Sequence, residues 1–131
     1  MKTTRQGSWG LTAAGAIGLA FGLLTVLSGG MALFGTEATR AAAGNAVPFV
    51  LWFNFLAGFA YILAGLGLLR QQRAVAWLSA AIAVSTVIVL AALAAHVANG
   101  GLYEMRTVAA MLLRATVWAC IAAIALRSLR T

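Results

Sequence analysis

HVANGGLYEMRTVAAMLLRATVW, residues 96–118, is the stretch on which the fold of this chain turns. It leaves one apolar run at His96, turns through Asn99, Gly100 and Gly101, and enters a second apolar run past Glu104, Arg106 and Thr107, with Arg114 already inside it. An asparagine and two glycines between apolar runs mark a tight turn, so the stretch reads as helix, turn, helix. An arginine in such a run is costly unless it faces protein or water, which makes Arg114 a site candidate with a partner to be found.

The composition around this stretch sets the class of protein. The 131 residues are 63% hydrophobic and 8% charged, with a mean hydropathy of +1.00, outside the range of soluble domains. Four apolar runs, at about 11–34, 47–69, 74–97 and 106–126, are each long enough to cross a hydrocarbon core of roughly 30 Å as a helix. Short connections make sequential helices antiparallel neighbours. The expected fold is therefore an all-α integral membrane protein: an antiparallel four-helix transmembrane bundle forming a single transmembrane domain over residues 1–131.

A net charge of +7 would suggest a nucleic-acid partner in a soluble protein, but its placement gives a better account and no nucleic-acid partner is expected. Lys2 and Arg5 precede the first run, Arg70 and Arg73 separate the second and third, and Arg127 and Arg130 follow the fourth. The other two loops carry Arg40 and Arg106, each near a carboxylate, Glu37 and Glu104. This is the positive-inside pattern: a multi-pass protein of a bacterial-type inner membrane, both termini cytoplasmic, with the loops around residues 35–46 and 98–105 facing outward. Lys2 and Arg5 before an apolar run also resemble a signal peptide, but a run this long exceeds the roughly 7 to 15 residues of a signal core, and it is read as a retained first span.

Several chemistries are excluded by missing residues. A single cysteine, Cys120, allows no intrachain disulfide, which removes the four-helix disulfide-generating and vitamin K reductase-like enzymes. The first span has no carboxylate, which argues against a small multidrug exporter. One histidine and no carboxylate cluster leave too few ligands for a metal site or a bis-histidine haem within one chain, and neither is expected.

The helical faces locate the candidate site. In the first span Gly15, Gly18, Gly22, Thr25 and Gly29 recur at spacings of three and four, a stripe of small residues suited to close helix packing. The second span opens on Pro48, favoured in a first turn. It places Asn54, Gly58, Tyr61 and Gly65 on an inward face and Trp52, Phe55, Phe59 and Ile62 on a lipid face. In the third, Ser85, Val89, Ala92 and His96 share a face; in the fourth, Thr107, Met111, Arg114, Trp118 and Ile121 do. Asn54 and Arg114 then lie at nearly equal depth, with His96, Tyr103, Glu104 and Arg106 at the mouth above them and Trp118 below. The inner half is expected to be closed by Val, Leu, Ile and Ala. Glu37 and Glu104 are the two acids available to Arg114.

Three readings compete for this cluster. In the first, an outward-facing pocket of Arg114, Asn54, His96, Glu104, Arg106, Tyr103 and Trp118 binds an anionic or carbonyl-bearing amphiphile, a lipid headgroup or a quinone, because a guanidinium offers a planar fork of donors and tryptophan can stack on a ring. In the second, the polar network only locks the bundle. In the third, the protein is a subunit or assembly factor of a larger membrane complex, or a homo-oligomer, docking through its small-residue faces. Beyond the bilayer itself no partner is named by the residues, no catalytic residue is assigned, and an enzyme is less expected than a binding or structural protein.

Overall fold

The computed structural model describes residues 2–42, 44 and 47–129, with side chains from Trp9 onward except Thr39. The side chains of Lys2 and Arg5, and all of Asn45 and Arg130, lie outside the described residues, so their part in the charge pattern rests on sequence alone. The chain forms α1 (Lys2–Phe34), α2 (Glu37–Ala42), α3 (Pro48–Leu69), α4 (Ala74–Ala98) and α5 (Met105–Leu129). Trp9–Phe34 of α1 and the whole of α3, α4 and α5 are each long and apolar enough to cross a membrane, and the four form an all-α bundle. The boundaries differ from the apolar runs mainly at the start of α1. Its polar first residues contain no proline, so backbone hydrogen bonding runs on past the apolar segment.

Two turns set the antiparallel pairing. After α4, Gly100 (φ +82°) takes the left-handed conformation, Gly101 N–H donates to the His96 carbonyl at 2.9 Å and Gly100 N–H to that of Val97 at 3.0 Å. That pairing satisfies the last carbonyls of the helix. The turn after α3 uses the same hydrogen bonds, Gln72 N–H to Gly67 O and Gln71 N–H to Leu68 O, but with Gln71 at φ +56° in the position that favours glycine. At the start of α3, Pro48 occupies the first turn without a side-chain cap before it.

The helices pack in the order α1, α3, α4, α5, and α5 returns to α1. The α1–α3 seam is the closest. A Cβ built on Gly65 would stand 2.7 Å from Leu19 N and 2.9 Å from Gly15 O, and one on Gly22 would stand 2.9 Å from Gly58 O. The glycine stripe thus serves backbone contact inside the bundle, the usual means of helix association in lipid. It also corrects the expected lipid face of α3. Trp52 and Phe59 are exposed, whereas Phe55 and Ile62 are half-buried, Phe55 against Gly29 and Ile62 against Gly22, because a helix face without side chains leaves a hollow that a neighbour fills.

The centre is a stack of Tyr61 on Trp118, ring centroids 4.9 Å apart, both fully buried. Nor is the bundle below Arg114 purely aliphatic, as the composition suggested. Ser79 and Thr86 of α4 are buried there, Thr86 donating to the Ile82 carbonyl one turn back at 2.7 Å, a local bond that lets a hydroxyl sit in an apolar helix. Exposed Trp9 (77%) and Trp77 (72%) lie at the end of the bundle near Arg70. At the other end, which carries α2, Phe34 meets Trp52 and Phe55 edge to face, each at 5.6 Å. Aromatics at both ends of an apolar bundle suit the two membrane interfaces.

Candidate functional site

The α5 helix begins at the α2 end with Glu104 as its cap: the Thr107 and Val108 amides donate to the Glu104 carbonyl at 3.0 and 3.4 Å. The Glu104 carboxylate lies against Gly44, whose φ of +66° and missing Cβ admit it; a Cβ there would stand 2.9 Å from Oε2. Arg106 folds back over the same loop, donating from Nη2 to the Ala42 carbonyl at 3.1 Å and pairing with Glu104 at 3.7 Å. With the Arg106 side chain 70% exposed, that ion pair is worth at most about 1 kcal/mol, and the geometry it holds matters more: α2 and its loop are tied to the first turn of α5.

Deeper on α5, Thr107, Ala110 and Arg114 follow one another at helical spacing on a single face. Together with Asn54 and Leu51 of α3 and Thr25, Ser28 and Gly29 of α1 they line a cavity of about 290 Å³, with Arg106 at its mouth. The Arg114 guanidinium donates from Nη2 to Thr25 Oγ1 at 3.4 Å, a long bond. Its Nε is buried with no hydrogen-bond partner, as is Asn54 Oδ1. The rim holds the ion pair of Arg106 with Glu104, and neither Glu37 nor Glu104 bonds Arg114. Glu37 is exposed and does not line the cavity.

Of the residues singled out in the sequence, the structure brings Arg114, Asn54 and Arg106 into one cavity and ties Glu104 to its rim. The other three lie elsewhere. The His96 ring packs against Gly101, its Nε2 is 2.9 Å from the Leu102 carbonyl, and Phe49 meets it edge-on at 6.1 Å; Nε2 therefore carries the proton and the ring fastens the α4–α5 turn. Tyr103 lines a second, apolar cavity of about 370 Å³ between α4 and α5 with Leu90, Leu93, Val97 and Val108. Trp118 lies one turn below Arg114, stacked on Tyr61 and against Gly18.

Sequence reasoning missed Ser28 and gave Thr25 only a packing role. A signal for Thr25 was present: it is the one polar member of the glycine stripe. It lies 9 residues from the end of α1 as Arg114 lies 9 from the start of α5, about 14 Å in each case. Ser28 carried no such signal, because it falls outside the stripe. Among the described residues no three of His, Cys, Asp and Glu converge to hold a metal ion. No protein-family model, curated protein or solved structure matches this chain.

Proposed function

We propose that this is a multi-pass binding protein of a bacterial-type inner membrane, and that its Arg114 cavity holds the charged head of an anionic amphiphile. The observation that carries the reading is a partly buried guanidinium facing a cavity and bonded by neither Glu37 nor Glu104. A half-buried guanidinium without a counter-charge is held at a cost that an anion entering the cavity would offset. Arg114 supplies a planar fork of donors, the Thr25 hydroxyl adds to it, and Arg106 gives positive charge at the mouth. A neutral carbonyl such as that of a quinone would accept the same hydrogen bonds but leave the charge uncompensated, which favours the anion. Arg70, Arg73 and Arg127 at one end against Arg40 and Arg106 at the other support cytoplasmic termini and an outward-opening cavity.

The test is native mass spectrometry of the protein extracted in mild detergent, with Arg114→Leu beside it. A discrete added mass on the wild type, absent from the variant, is expected; bare protein in both would count against binding. A second reading has its own observation. The Arg114–Thr25 bond joins α1 to α5, and a purely structural fastener in a subunit of a larger complex would look the same. Arg114→Leu then lowers thermal stability, whereas a residue kept for binding leaves it unchanged or raised.

A further inference from the structure

The cavity has a floor, a mouth and an open side. Towards the Arg70 end α1 and α5 touch: a Cβ on Gly10 would stand 3.8 Å from Ile124 Cγ2, and one on Gly18 3.1 Å from Trp118 Cη2. Beneath the cavity Trp118, one turn below Arg114 and outside the lining, fills the space between the two helices. Above it the Arg114–Thr25 bond still links the helices, and beyond that bond the cavity separates them, with Ser28 on one lip and Ala110 on the other. Ser28 is exposed, and the residues one turn away on the same ridges, Leu24 below Ser28 and Leu113 below Ala110, are exposed hydrophobics. The side of the cavity therefore faces the apolar belt of the bundle rather than water.

The polar groups that line it approach from more than one helix. A carboxylate is planar and is satisfied by one guanidinium fork, whereas a tetrahedral phosphate turns oxygens in several directions. Here the Arg114 guanidinium of α5 and the Thr25 hydroxyl of α1 meet the cavity from two helices, and Arg106, two turns up α5 and already bonded to the Ala42 carbonyl and paired with Glu104, adds positive charge at the mouth. Asn54 of α3 stands on the third wall, its Oδ1 buried without a partner. We propose that the site takes the phosphate of an anionic membrane phospholipid, admitted sideways through the crevice between α1 and α5 while its acyl chains stay in the bilayer. This deepens the anion reading above and rests on it.

The test uses the full chain in nanodiscs of mixed phosphatidylcholine and phosphatidylglycerol, extracted gently and weighed by native mass spectrometry, with inorganic phosphate as competitor. The wild type is expected to retain one phosphatidylglycerol per chain, enriched about tenfold over phosphatidylcholine, and phosphate does not displace it. Ser28→Trp, on an exposed lip where the fold tolerates bulk, is expected to cut that retention about tenfold, and Arg114→Lys to weaken it by loss of the fork. Displacement by phosphate with no effect of Ser28→Trp would overturn the lipid and its side route while the anion reading stands. Equal retention in wild type and both variants would mean that only surrounding lipid is carried along, which also overturns the proposal. If neither phosphatidylglycerol nor phosphate binds, both readings fail.

Discussion

Replacing Gly65 by alanine puts the α1–α3 seam to a quantitative test. The new Cβ would meet Leu19 N at 2.7 Å, Gly15 O at 2.9 Å and Leu19 Cα at 3.0 Å, all backbone atoms that no rotamer change can move aside. Restoring ordinary contact requires α1 to retreat by roughly 0.5 Å or more, and a gap of that size forfeits a quarter or more of the dispersion energy at each contact it opens. Overpacking of this kind costs about 1 to 3 kcal/mol, offset by up to about 1 kcal/mol because alanine is the better helix former. Gly10→Ala supplies the control: its Cβ would lie 3.8 Å from Ile124 Cγ2, an ordinary contact, so it gains the same helix term without the clash. The two variants should then differ by about 2 kcal/mol in reversible denaturation in mixed micelles followed by far-ultraviolet circular dichroism. A Gly65→Ala protein as stable as Gly10→Ala would refute the claim that backbone approach holds these two helices together.

Two further substitutions probe the turns. Gln71→Gly, at the left-handed position after α3, should stabilise the protein by about 0.5 to 1 kcal/mol, read as a raised denaturation midpoint, since glycine takes φ +56° without the steric cost glutamine bears. Gly101→Ala should destabilise it by about 1 kcal/mol or more, because the added methyl runs into the His96 ring. Combining it with His96→Ala should recover part of that loss, and a double mutant no better than Gly101→Ala would show that the ring does not fill that space.

The cavity and the seam depend on each other through α1. Gly15, Gly22 and Gly29 face α3, and Thr25, in the same stripe, reaches Arg114 on α5. A single small-residue face therefore both holds α1 against α3 and offers α5 a hydroxyl. Where glycine lets backbones meet, the helices close; where Arg114 intervenes, α1 and α5 stay apart and the cavity forms.

Four spans, their antiparallel order and the glycine seam were legible in the sequence because each rests on local chemistry: apolar run length against bilayer thickness, turn residues, and a three-and-four spacing that puts small residues on one face. Arg114 and Asn54 could be placed at one depth by counting residues from helix starts, since rise per residue is fixed. Which faces meet is another matter, because it depends on the rotation of each helix about its axis and on side chains far apart in sequence. Only the tertiary structure therefore turned Thr25 and Ser28 towards Arg114, put the Glu104 carboxylate on Gly44, and kept His96 and Tyr103 out of the cavity that depth alone would have let them share.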